Sequence, residues 1–310
     1  MKTPLSSLPV PSPVPVPVPT IEMVDWQPLL NEPFASALAR GLEGAVANAG
    51  TDALRGRLLA RVGAAMRAAA PMHTVRLARQ AVHAVAPGIS AQTLQQAQPD
   101  TPLRPGEPAR VALITLAPGA TLDSQLLSLE TGPGRHGDQE WLLLSGSAQC
   151  DGVRLSRHDH HVVPAGAARA QLSTAAGACF MLRESAPVLG VSPSSASDTA
   201  GASGPCAFTH FEASPHWVAL APGIQRRVLW QRGAQAALLY RAQAGAHIPD
   251  HQHGHAEECF VLEGELFLDD VLLQAGDYQL APAGTGHRVT ETDTGVVIYA
   301  HGDIDLQFVA

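Results

Sequence analysis

The sequence predicts an all-β protein: two tandem jelly-roll barrels behind a short helical N-terminal segment. Three observations predict it. Short alternating strands recur with turn residues about every eight to twelve positions, as at Arg110 to Leu116, Ala236 to Arg241, Cys259 to Leu262 and Val296 to Tyr299. The chain also repeats itself. Val82-His-Ala-Val-Ala-Pro87-Gly88-Ile89 matches Trp217-Val-Ala-Leu-Ala-Pro222-Gly223-Ile224 at an offset of 135, while Glu140 to Gly146 matches Glu258 to Gly264, and Pro164 to Gly166 matches Pro282 to Gly284, at an offset of 118. Finally, 310 residues are many for one core and suit two compact domains with appendages.

Residues 1–30 open with Pro4, Pro9 and an alternating Val-Pro run from Pro11 to Pro19, which favours polyproline II and forbids a helix. A disordered tail is expected there. A secretory signal needs a continuous apolar stretch after its positive start; the prolines behind Lys2 supply none, so a cytoplasmic protein is expected. Residues 31–70 change to a helical period. Phe34, Leu38, Leu42 and Val46 recur every fourth residue, then Asn48-Ala-Gly50-Thr51-Asp52 interrupts and caps a second helix carrying Leu54, Leu58, Leu59, Val62 and Met66. Such amphipathic helices must bury a face against the domain behind them, a second subunit in a homodimer, or a partner protein.

Residues 71–185 form the first barrel. Aligned on the second copy, it carries Pro133, Arg135, Gln139 and Arg169 where the second has His251, His253, Glu257 and His287. Proline and guanidinium groups do not ligate cations, so this reads as a degenerate copy without metal at that place. Of His136, His158, His160 and His161, three crowd within four residues beside Asp159, and a solvated or hairpin-end cluster is expected. Residues 186–206, rich in Ser, Ala and Gly, are the expected linker.

Residues 207–310 hold the chemistry. In an extended strand, side chains of one parity share a face, so His251, His253 and Glu257 point the same way. The segment from Leu262 to Leu272 is expected to turn around Gly264 and Asp269-Asp270, after which the chain returns and offers His287 beside a Pro-x-Gly turn. Three imidazoles and a carboxylate suit one divalent first-row metal. Cys259 shares the ligands' parity and is a candidate pocket or redox residue, since a nearby cation would favour its thiolate.

The pattern Gly-x5-His-x-His-x3-Glu-x6-Gly, followed by Gly-x5-Pro-x-Gly-x2-His, resembles the two cupin motifs. Gly245, His251, His253, Glu257, Gly264, Gly276, Pro282, Gly284 and His287 fill its positions. The Asn that often closes the second motif is Glu291 here, at a position that is not a ligand in the family. Glu257-Glu258-Cys-Phe-Val-Leu-Glu-Gly264 and Ala275-Gly-Asp-Tyr278 are similar to the ChrR-type cupins, a group that includes zinc-binding anti-sigma factors. Leu54 to Val62 resembles the segment that often joins the sigma-binding domain to the rest in such factors, although their His-x3-Cys-x2-Cys signature is absent ahead of Cys150. The resemblance implies a bicupin with zinc on His251, His253, Glu257 and His287, iron, nickel and manganese being the alternatives. It also implies a sensing or transcription-regulating role in stress response, through a sigma-factor-like partner on the N-terminal helices. The alternative is a metal-dependent cupin dioxygenase or related small-molecule enzyme, and a carrier or binding module for a small ligand is a third reading.

Composition narrows the classes further. The net charge of -8 is spread out, which argues against a phosphate-binding surface and so against direct nucleic-acid contact. No run of eighteen apolar residues suggests a membrane span. Cys150, Cys179, Cys206 and Cys259 are widely spaced with no Cys-x2-Cys pair, which fits a reduced compartment and, for most of them, buried packing roles.

Overall fold

The computed structural model describes residues 49–98, 102–127, 137–186, 206–213 and 216–309. The proline-rich tail, the helix expected around Phe34 to Val46, most of the expected linker, and Pro133, Arg135 and His136 lie outside the described residues. Helix α1, Ala49–Ala69, takes in Gly50-Thr51-Asp52, which were expected to precede it as its cap. One helical Gly costs only about 1 kcal/mol relative to Ala, too little to stop a helix this rich in Ala, Leu and Arg.

The strands form two antiparallel jelly-roll barrels. In the first, a seven-stranded sheet has Gln139–Gly146 and Ala178–Ser185 near its centre and faces a four-stranded sheet that contains Ala148–Cys150 and Gln171–Ser173. In the second, a larger sheet centred on Glu257–Leu268 and Val296–Asp303 is completed by a small sheet of Gly286–His287, His251–Gln252 and Gln307–Phe308.

Strand alternation divides the side chains of each large sheet between two destinations. Trp141, Leu143, Phe180 and Leu182 fill the first barrel, while Cys259, Val261, Leu266 and Val296 fill the second. Their sequence neighbours Leu142, Met181 and Phe260 face the other way and, with Tyr299, join one apolar cluster shared by both large sheets. The barrels therefore stack back to back.

In the middle of that interface lies a buried polar group that obeys the repeat. Arg183 donates to Glu140 at 3.0 Å and to Glu258 at 2.7 Å, and these two glutamates are the 118-residue equivalents of each other. The Tyr278 hydroxyl donates to Glu258 and the Tyr299 hydroxyl to Glu140. His160 lies 3.1 Å from Glu140.

The expected boundaries at 71 and 207 require one amendment. His73–Val75, in the first half, pairs with Tyr278 to Leu280 of the second barrel, and Phe208–His210, in the second half, pairs with His160 to Val162 of the first. Each half thus lends its first strand to the other barrel.

The region around Gly264 also departs from expectation. Glu257–Leu268 runs through it as one strand, and the reversal comes only at Asp269-Asp270, where Asp269 has φ +54°. Gly264 (φ +76°) is a bend where the backbone passes so close to Gly295 that an added Cβ would lie 2.0 Å from its carbonyl oxygen. Gly146 meets Gly177 in the same way at 2.1 Å, so the repeat extends to backbone contacts.

Candidate metal centre

His251 and His287 face each other across the antiparallel pair His251–Gln252 and Gly286–His287. His253 follows in a turn that is stitched to the second motif: its N–H donates to the Thr285 carbonyl at 2.8 Å, and the Gly284 N–H donates to its carbonyl at 2.7 Å. Glu257 starts the next strand, opposite Ala281. The chain is not extended from 251 to 257, so the convergence comes from two strands and a turn rather than from parity along one strand.

Ring centroids of the three imidazoles are 5.0 to 5.7 Å apart. All three rings are buried. Ligand atoms of His251, His253 and Glu257 lie within 4.8 Å of one another, with His253 Nε2 3.6 Å from Glu257 Oε1; His287 is outside that set, its ring centroid 5.0 Å from that of His253.

Each ring is held by its Nδ1, which leaves Nε2 for the interior. The partners are the Pro249 carbonyl at 3.0 Å for His251, the Thr285 hydroxyl at 3.2 Å for His253 and Asp269 Oδ2 at 3.4 Å for His287. Nε2 of His253 is buried without any hydrogen-bond partner. An orphaned imidazole nitrogen amid two more rings and a carboxylate fits a cation, and such outer partners are what fix a ligating histidine's tautomer.

The electrostatics agree. Burial, and then the neighbouring His287 and His251, push the His253 pKa down to about 3, and burial lowers those of His251 and His287 too. Burial and Asp303 push the Glu257 carboxyl up to about 7. Neutral rings are ready to ligate, and a reluctant carboxylate would be relieved by a positive charge.

Other expectations fare differently. Cys259 is buried on the inner face, as its parity predicts, and packs in the apolar cluster with Val261, Leu266, Leu268, Leu273 and Val296. Burial, and then the charge of Glu257, push its thiol well up, and a cation on the three histidines would act in the opposite sense. His247 is exposed on a short strand opposite Glu291. His160 and His161 are not a solvated cluster: both are buried, and as strand neighbours they face opposite ways, His160 toward Glu140 in the interface and His161 toward Thr209. In the first barrel Gln139, equivalent to Glu257, is tied to Ser124 and Glu184 and has no ligand role.

The outer partners of the three rings do not stand out in the sequence. Thr285 lies inside the second motif and Asp269 in the expected turn, so both were within reach. Asp303 gave no local signal; it accepts from the Gly254 and His255 N–H groups at 2.6 and 3.2 Å and pairs with the His255 ring, fixing the loop between His253 and Glu257. Tyr240 is a further interior group. Burial and the charge of Glu257 raise its phenol pKa.

Residues 207–305 match the family described as the ChrR cupin-like domain. The likeness lies in the second barrel. No curated protein matches the chain closely enough to count as a relative. Among solved structures, this chain is similar to a protein described as glyoxylate-induced from Pseudomonas aeruginosa, at TM-score 0.57 and 15% identity over 76% of this chain and 89% of that one. It is also similar to a candidate dioxygenase from Nostoc punctiforme, at TM-score 0.53 and 14% identity over 77% and 85% of the two chains. An oxalate decarboxylase aligns at TM-score 0.50 and 15% identity over 74% and 76%. At such identities the likeness is one of fold, and it spans both barrels of the cupin pair.

Proposed function

We propose that this bicupin is a metal-dependent sensing protein, in which the second barrel holds one divalent cation, zinc by preference, on His251, His253, Glu257 and His287, and the N-terminal helical segment engages a sigma-factor-like partner. The observation that carries the metal assignment is the convergence of three Nδ1-anchored imidazoles beside Glu257, with His253 Nε2 buried and unpartnered. A cation bound there would supply Lewis acidity and a positive charge; the chain orients the rings, keeps them neutral and seals them from water. The regulatory part is supported by the ChrR cupin-like match of residues 207–305 and by the helical pattern ahead of the barrels.

The second reading is a metal-dependent dioxygenase or related enzyme. Tyr240 favours it, because a neutral phenol beside Glu257 can offer a bound substrate a hydrogen bond beyond the ligands. Elemental analysis of the purified chain tests both readings. His253→Ala and Glu257→Ala should each lower metal content by about one equivalent per chain. Zinc, with binding of a sigma factor that is lost on deletion of residues 1–70, supports the sensor. Iron or nickel with oxygen uptake on a small organic substrate overturns the sensor in favour of the enzyme, and unchanged metal content in both variants overturns the site.

A further inference from the structure

The first barrel lacks the ligands of the second, yet it gathers a different set at another place. Strand Ala148–Cys150 ends in a tight turn at Asp151-Gly152, and His161 lies on the strand His160–Val163. One ligand atom from each of Cys150, Asp151 and His161 lies within 4.8 Å of the other two. The Cys150 thiol is fully buried, His161 is 2% exposed, and the Asp151 side chain, at 31%, opens the group to solvent.

Every other polar atom of the group is already engaged in a way that aims the free ones inward. Asp151 Oδ1 accepts from the Gln171 N–H at 2.8 Å, which leaves Oδ2 turned to His161 Nε2, 3.3 Å away. The Thr209 hydroxyl holds His161 Nδ1 at 2.8 Å, fixing the ring from the exchanged strand. Nε2 is buried and has no hydrogen-bond partner, because its direction to Asp151 misses hydrogen-bond geometry. A buried nitrogen without a well-directed partner is destabilising, and a carboxylate oxygen 3.3 Å away relieves it only in part. A cation between the three atoms removes that cost.

The internal repeat provides a control. The equivalents of Cys150, Asp151 and His161 in the second half are Leu268, Asp269 and Gln279. Gln279 Nε2 donates to Thr74 at 2.9 Å, just as His161 is tied to Thr209, the 135-residue equivalent of Thr74. The scaffold and the outer threonine are common to both barrels, and the thiol and imidazole occur only in the first. Packing alone is served by Leu and Gln at these places.

We infer that Cys150, Asp151 and His161 form a second metal site, separate from the three-histidine centre, that takes a thiophilic divalent cation of the zinc class and leaves its fourth position open to solvent. One sulfur, one imidazole nitrogen and one carboxylate oxygen are zinc's usual donors, and in a tetrahedral zinc site sulfur and nitrogen stand about 3.6 Å apart, so the three groups need close only slightly. On binding, the Cys150 S–H bond breaks, its proton goes to solvent, Sγ bonds to the cation, and no electron changes hands.

The test is a cobalt(II) titration of the metal-stripped full chain, read by the near-ultraviolet thiolate-to-cobalt charge-transfer band. The three-histidine centre has no sulfur ligand and is silent in that readout. The band should appear in the unmodified chain, in His253→Ala and in Cys259→Ser. It should vanish in Cys150→Ser and in His161→Gln, the latter carrying the residue that the second barrel already accommodates at this register, and Asp151→Asn should need at least about tenfold more cobalt. The inference is overturned if the folded, unmodified chain gives no band at saturating cobalt, or if the band survives Cys150→Ser and is lost in Cys259→Ser. Failure of the three-histidine centre would show instead in the cobalt that His253→Ala does or does not lose, so the two sites fail separately.

Discussion

At the scale of single residues, the second barrel's centre depends on atoms that are not ligands. The Thr285 hydroxyl holds His253 Nδ1 and donates in turn to the Pro282 carbonyl at 2.6 Å, so it fixes the ring against the motif's own turn. Thr285→Val keeps the shape and removes the hydroxyl. Metal affinity, measured by competition with a chromogenic chelator, should fall about 10- to 100-fold, with little change in thermal stability. Unchanged affinity would mean that ring packing alone orients His253. The convergence of the three histidines and Glu257 was legible in the sequence because motif spacing records local chain geometry. Their outer partners were only partly so: Asp303 is 50 residues from His253 and enters through tertiary folding. His161 was legible as a ligand type but not as a site, since Cys150 and Asp151 come to it from another sheet.

At the scale of elements, the exchanged strands decide where the chain can be cut. Both barrels were readable from the repeat, but the exchange was not, because three residues of strand carry no mark of which sheet they join. Val75 is buried in the shared cluster, and Arg76 donates to the Leu272 carbonyl and pairs with Asp277. A chain starting at residue 71 should keep the stability and metal content of the second barrel. One starting at residue 77 loses the strand His73–Val75, exposes the edge Tyr278 to Leu280 and should lose at least about 3 kcal/mol, the worth of one buried Val plus the strand's hydrogen bonds. Urea denaturation of the two truncations checks this. Equal midpoints would show that the exchanged strand is dispensable.

At the scale of the molecule, the back-to-back stack makes the fold of both barrels depend on one buried charge group. Arg183 is shared by Glu140 and Glu258, and removing one partner of such a group strands the others in low dielectric, which costs about 3–5 kcal/mol. His301, the repeat equivalent of Arg183, sits 3.6 Å from Glu140 and 3.9 Å from Glu258, with Arg183 and His160 beside it. Burial, and then the charge of Arg183, lower its pKa from the usual 6.5 to about 3. The unfolded chain therefore binds a proton at His301 below pH 6.5 that the folded chain refuses until about pH 3, so stability from this group is complete above 6.5 and drains away as pH falls through that window. Between pH 7.5 and 5.0 the loss from His301 alone should be about 2 kcal/mol. Burial also raises the Glu258 carboxyl against the pull of Arg183, and that works in the opposite direction above the ordinary carboxylate range, so the wild-type profile alone does not isolate the histidine. His301→Gln does. Urea unfolding of both proteins at the two pH values should show the wild type losing about 2 kcal/mol more than the variant on acidification. Parallel profiles would mean that His301 takes up its proton inside the folded interface, and that the stack tolerates a second positive charge beside Arg183.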